Sequence, residues 1–147
     1  MKNIHILLVE DNEGDIMLIN EALHERPLVE RVSVVRDGRQ AIDLLDENIR
    51  SRSAELPDLI LLDINLPKVN GHEVLCYIKQ NDRLKQIPVI MLTTSSAEVD
   101  VRESYRNHAN CYITKPEEAD GLNRVVQGIE DFWMKIAELP SGNDKLC

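Results

Sequence analysis

The sequence predicts a doubly wound α/β layer, in which one parallel sheet of five strands carries helices on both faces. Two observations carry this expectation. Short apolar runs alternate five times with longer stretches of helical period. The runs are also apolar throughout instead of alternating, which is the pattern of strands buried on both faces between two helix layers. With 147 residues and 43% apolar content, the chain can build one sizeable core but not a second folded domain.

The strand candidates, in order, are Ile4 to Val9 (IHILLV), Val32 to Val35 (VSVV), Leu59 to Leu62 (LILL), Val89 to Leu92 (VIML) and Tyr112 to Ile113. Helical spacing of three and four follows each one: Ile16, Ile19 and Leu23; Ala41, Leu44 and Leu45; Val74, Leu75 and Ile78; a weaker pattern from Val101 to Tyr105. The longest stripe runs through Leu122, Val125, Val126, Ile129, Phe132, Trp133 and Ile136. Asp37-Gly38, Pro57-Asp58, Pro67 to Gly71 and Pro88 mark the boundaries. The polar stretch from Asn48 to Glu55 reads as a helix end plus a surface loop, and Pro140 to Cys147 as a mobile end. Five strand–helix repeats joined by right-handed crossovers give a flavodoxin-like (βα)5 fold with strand order 2-1-3-4-5.

Composition removes several function classes. A formal charge of −9 and no basic stripe argue against a nucleic-acid partner, whose phosphates need Lys and Arg. No apolar run is long enough to span a bilayer, and the N-terminus enters acidic residues with no cleavage site, so a cytoplasmic protein is expected. Cys76, Cys111 and Cys147 match neither a disulfide framework nor a metal-binding pair. Cys76 and Cys111 read as core thiols, and Cys147 as an exposed end.

In an open α/β sheet the ligand crevice lies at the carboxyl ends of the strands, where strand order reverses. Here that point falls between the first and third strands, which end in Glu10-Asp11 and Asp63. Three carboxylates brought together repel one another, and a hard cation such as magnesium or manganese relieves the repulsion. The fourth strand ends in Thr93-Thr94, and the fifth leads into Lys115-Pro116. The set suits phosphoryl transfer. Asp63 would be the nucleophile, Asp11 and Glu10 would hold the metal directly or through water, and Lys115 and Thr93 would bond the phosphoryl oxygens. Each residue also has a plainer role: Asp63 as a turn residue, Glu10-Asp11 as a helix-start signal, and Thr93 to Ser96 as a cap.

At these positions the chain resembles the response-regulator receiver family of two-component signalling. The matching pieces are LLVEDN (Leu7 to Asn12), DLILLDINLPKVNG (Asp58 to Gly71), VIMLTTS (Val89 to Ser95) and YITKP (Tyr112 to Pro116). The resemblance implies a receiver domain over residues 1–138 and a C-terminal extension over 139–147. It makes Asp63 the phosphoacceptor, with Asp11, Asp63 and the backbone carbonyl of Asn65 holding Mg2+ or Mn2+ and Glu10 supporting the ion through water. Thr93 and Tyr112 match the family's switch pair, in which the hydroxyl moves toward the phosphoryl group as the ring turns inward. A cis Lys115–Pro116 bond is expected on the same grounds. The polar insert before the third strand, GIEDFW (Gly128 to Trp133) and LPSG (Leu139 to Gly142) resemble the single-domain regulators that partner bacterial phytochromes.

The resemblance therefore implies a single-domain regulator that accepts a phosphoryl group from a histidine kinase and signals through protein contacts, not an enzyme with outside substrates. Phe132 and Trp133 lie late on the final helix, where they could pack on the first or fourth helix or serve as apolar anchors. A homodimer through the fifth helix and the extension is expected. Two rival readings are an aspartyl-nucleophile phosphatase and a receiver-like binding module that is never phosphorylated. Asn65 stands where such phosphatases carry an acid–base Asp, and amides do not transfer protons that way.

Overall fold

The computed structural model describes residues 3–51 and 56–140. Cys147, most of the predicted mobile end and the end of the predicted 48–55 loop lie outside these residues. The order of elements is β1 (Ile4–Val9), α1 (Glu13–His24), β2 (Val29–Val35), α2 (Gly38–Ser51), β3 (Leu59–Leu62), α3 (Gly71–Gln80), β4 (Val89–Thr93), α4 (Glu98–Arg106), β5 (Cys111–Thr114) and α5 (Ala119–Ile129). A π-helical segment, Glu130–Ile136, continues α5. All strand pairs are parallel and the sheet order is β2-β1-β3-β4-β5, as the apolar runs predict.

Alternate residues of each central strand feed two cores. Leu7, Val9, Ile60, Leu62, Val89 and Met91 pack with α2 and α3, while Ile6, Leu8, Leu59, Leu61, Ile90 and Leu92 pack with α1 and α5. Every residue of β3 and β4 is buried, whereas the edge strands β2 and β5 are mostly half-buried. That gradient explains why the central strands read as unbroken apolar runs and the edges do not. Cys111 packs half-buried against the α1/α5 core, in line with a core thiol, and Cys76 is also half-buried.

One further expectation is corrected. Among the described residues there is no cis peptide bond, so Lys115–Pro116 is trans. The Lys115 amide donates to the Thr93 carbonyl at 2.6 Å, extending the β4–β5 ladder by one residue, and this fixes where the side chain starts. The apolar stripe of the last helix also does not stay on the core. At Glu130 the helix widens to π geometry, with the Ala137 amide bonded to the Phe132 carbonyl five residues back. The extra residue per turn rotates the stripe outward, leaving Phe132 52% and Ile136 73% exposed. Trp133 stays half-buried against the α1/α5 core, with Phe132 edge-on at 5.4 Å. Glu130 itself turns inward, where Arg26 at the end of α1 reaches it at 3.3 Å. No helix among the described residues is long and apolar enough to cross a membrane.

Candidate functional site

Strand register brings the predicted residues to one edge of the sheet. Val9 pairs with Leu62, so Glu10 and Asp63 leave adjacent strands side by side. The Asp63 amide donates to the Val9 carbonyl at 3.1 Å, and the Glu10 amide to the Val35 carbonyl at 3.0 Å. Thr93 ends β4 opposite Thr114, one residue before Lys115. Glu10, Asp11 and Asp63 offer carboxylate oxygens within 4.8 Å of one another. Glu10 and Asp63 are buried and Asp11 is exposed, which leaves the cluster open to solvent on one side.

The plainer roles account for little of the set. Asn12 caps α1, its Oδ1 accepting from the Asp15 amide at 2.9 Å, so neither Glu10 nor Asp11 is needed as the cap. The N-cap of α4 is Ala97, with no side-chain bond of its own, and of the four residues from Thr93 to Ser96 Ser95 contributes there, its Oγ accepting the Ala97 amide at 3.3 Å. Asp63 Oδ1 accepts from the Asn65 amide only at 3.4 Å, a weak turn contact.

Lys115 lies at the centre of the acidic group. Its buried ammonium donates to Glu10 Oε1 in a very short bond, to Asp15 Oδ2 at 2.9 Å, and faces Asp63 Oδ2 at 3.6 Å. Asp15 was not anticipated from the sequence. The signal was available, because Asn12 followed three residues later by an acid is a capping pattern that turns the first turn of α1 toward the strand ends. Burial would pull the Lys115 ammonium down, but its bonds to Glu10 and Asp15 and the charge of Asp63 outweigh this and raise it. Burial pushes the Glu10 carboxyl up to about 7; the Lys115 bond opposes this and the Asp63 charge adds to it. Both groups thus hold their protons more tightly than usual, as expected of a site short of positive charge.

That shortage fits a divalent cation. The three carboxylates are hard oxygen donors within 4.8 Å of one another, the donor set that an oxygen-ligated divalent ion takes. Asp11, Asp63 and Glu10 would hold the ion or its waters. Gly71 supports the arrangement from below, because α3 starts directly against the Asp63 carbonyl and a side chain there would meet it. Thr93 is fully buried, and the hydroxyl of Tyr112 donates to the Ser95 carbonyl at 2.7 Å, two residues after Thr93 in the β4–α4 loop.

A family model for the response regulator receiver domain matches residues 6–127. The response regulator Rcp1 of Synechocystis sp. is 46% identical over 136 residues, covering 92% of each chain. Among solved structures, the phosphorylated cyanobacterial phytochrome response regulator RcpA aligns with a TM-score of 0.89 at 49% identity, over 95% of this chain and 99% of that one. The Mn2+-bound form of Rcp1 aligns with a TM-score of 0.87 at 46% identity, over 93% and 99%.

Proposed function

The chain belongs to the response regulator receiver family, and from that premise we propose that it is a single-domain phosphoacceptor of the cytoplasm. Asp63 takes a phosphoryl group from a histidine kinase in a Mg2+-dependent reaction. The carrying observation is the meeting of Glu10, Asp11 and Asp63 within 4.8 Å, with the Lys115 ammonium on Asp63 Oδ2 at 3.6 Å.

An Asp63 carboxylate oxygen attacks phosphorus of the donor phosphohistidine. The new O–P bond forms as the P–N bond breaks, and the donor imidazole leaves as a neutral ring after taking up a proton. A bound divalent cation would supply charge neutralisation for the phosphoryl oxygens. Lys115 is held by Glu10 and Asp15 within reach of the growing negative charge and costs no reorganisation there. Thr93 would then offer its hydroxyl to a phosphoryl oxygen, and the backbone carbonyl of Asn65 would join the residues that hold the cation. Asn65 carries an amide where a phosphatase needs an acid–base carboxylate, which disfavours turnover on outside substrates.

Output passes through α4, β5 and α5, beside Thr93, Tyr112 and Lys115. RcpA is by name a cyanobacterial phytochrome response regulator and is similar over nearly the whole chain, which supports a bacterial phytochrome as the kinase. Residues 1–138 form the receiver, and residues 139–147 extend it. Beside exposed Phe132 lies an apolar groove of about 430 Å³ lined by Cys111, Ile113, Val125, Ile129 and Trp133, which supports a homodimer through α5 and the extension. Sedimentation showing only monomer at tens of micromolar (~10–100 μM, where interfaces of this kind associate), with and without phosphodonor, would argue against the dimer.

Intact-mass measurement after incubation with acetyl phosphate and Mg2+ tests the main reading. A gain of one phosphoryl group in the wild type, absent from Asp63→Ala and from samples with chelator, is expected. No gain, or an equal gain in Asp63→Ala, would sink it.

A further inference from the structure

The β4–α4 loop is tied to α3 by a chain of polar contacts that the phosphoacceptor chemistry does not use. His72, in the first turn of α3, places Nε2 3.2 Å from Asp100 Oδ1 on α4. The other carboxylate oxygen, Asp100 Oδ2, accepts from Ser95 Oγ at 2.6 Å. Ser95 in turn touches both switch residues: its carbonyl accepts the Tyr112 hydroxyl at 2.7 Å, and its amide donates to Thr93 Oγ1 at 3.5 Å. Ser95 Oγ also receives the Ala97 amide at 3.3 Å, immediately before α4. At the far end, His72 follows Gly71, whose amide is bonded to the Ile64 carbonyl at 2.8 Å and whose Cα abuts the Asp63 backbone.

The contacts are well sheltered. The His72 side chain is 13% exposed, and its Nδ1 is buried with no partner, so Asp100 supplies the ring's one hydrogen bond. Asp100 is held below the ordinary carboxylate range, first by the Ser95 hydroxyl and then by His72. A carboxylate accepting two side-chain donors on two different elements fixes both of them relative to α4.

We infer that His72 is a positioning residue for the switch: through Asp100 it clamps Ser95, so that the loop resists the movement of Thr93 toward a phosphorylated Asp63. The inference rests on the phosphoacceptor reading for its output. Its mechanism is local. Ser95 stands two residues after Thr93 and its carbonyl holds the Tyr112 hydroxyl at 2.7 Å, so the loop that carries the switch pair cannot shift freely while Asp100 holds the Ser95 hydroxyl at 2.6 Å. The clamp is an interaction of the resting arrangement, and its loss lowers the barrier to the phosphorylated one.

Two measurements on the full chain decide it. With no phosphodonor present, hydrogen exchange of the Ala97 amide should be about three- to tenfold faster in His72→Ala, the equivalent of one lost hydrogen bond. His72→Gln, whose amide N–H donates to Asp100 in place of the ring, should exchange as the wild type does. With acetyl phosphate and Mg2+, His72→Ala and Ser95→Ala should each take up the phosphoryl group about three- to tenfold faster than wild type. The double variant should be no faster than Ser95→Ala, because both changes break one chain. Unchanged Ala97 exchange in His72→Ala, a phosphorylation rate at or below wild type, or multiplied rates in the double variant would overturn the inference. If the wild type takes up no phosphoryl group, the phosphoacceptor reading fails, and the exchange measurement still decides whether the clamp exists.

Discussion

Replacing Gly71 by alanine would place a methyl group where the backbone of the acceptor residue already lies. The new Cβ would stand 2.1 Å from the Asp63 carbonyl oxygen and 2.6 Å from the Ile64 Cα. Since Cβ atoms essentially never approach closer than 3.0 Å, the start of α3 and the end of β3 must part by about 0.9 Å. The helix cannot slide away freely, because the Gly71 amide is bonded to the Ile64 carbonyl at 2.8 Å and Asn70 caps α3 through the Glu73 amide at 3.0 Å. Forced packing of this kind costs about 1–3 kcal/mol in stability. A misplacement near 1 Å at a reacting group costs on the order of 100-fold in rate. Gly38→Ala is the control: its Cβ would meet the Val69 carbonyl oxygen at 1.9 Å, an equal clash that does not touch Asp63. Urea unfolding and the initial rate of phosphorylation by acetyl phosphate at saturating Mg2+ give the two readouts. Both variants should lose stability, and only Gly71→Ala should also lose rate per folded molecule. A Gly71→Ala protein that phosphorylates at the rate of Gly38→Ala would refute the claim that α3 seats the acceptor.

Magnesium at about 100 times its dissociation constant should stabilise the wild type by about 2.7 kcal/mol, and the shift in urea midpoint should vanish in Asp11→Ala. Gly128→Ala on α5 has open space around its Cβ and should gain about 0.5–1 kcal/mol by thermal unfolding; a loss would show that α5 needs the glycine. Burial lowers the Lys79 ammonium to about 8. The unfolded lysine titrates at about 10.4, so between these values the unfolded chain binds more protons and stability rises with pH. The ammonium is half-exposed and donates to the Lys85 and Ile87 carbonyls and to Asn110 Oδ1, which limits the rise to about 1 kcal/mol. Lys79→Met should lack that rise when its unfolding is compared with wild type at pH 7 and 10, and parallel curves would contradict it.

The strand order and the meeting of Glu10, Asp11, Asp63, Thr93 and Lys115 were legible because both follow from local signals. Unbroken apolar runs fix a sheet buried on both faces, and the residues that end those runs must share its carboxyl edge. Strand limits were less legible at the edges: Val29 to Arg31 of β2 and Cys111 of β5 pair through the backbone while their side chains are exposed or half-buried, so no apolar run marks them. Asp15 was missed for a different reason. Its partner Lys115 is 100 residues away, and only the capping turn at Asn12 aims it at the strand ends.

The π-helical segment was illegible for a physical cause that also bears on output. A stripe from Leu122 to Ile136 satisfies a 3.6-residue period, and nothing in that spacing favours a wider turn. What distinguishes Glu130 is a partner in the turn after α1: Arg26 Nη1 reaches Glu130 Oε1 at 3.3 Å and Gln127 Oε1 at 2.8 Å, while Arg26 Nε bonds the Ala22 carbonyl at 3.2 Å. With the Glu130 side chain 3% exposed, withdrawing it would leave the Arg26 guanidinium short of its charged partner. The apolar side chains released by the π turn, Phe132 and Ile136, are those left exposed beside the groove on β5 and α5. The Arg26–Glu130 pair, the π turn and the exposed Phe132 and Ile136 thus lie together at the end of the last helix, beside the groove of the proposed dimer face.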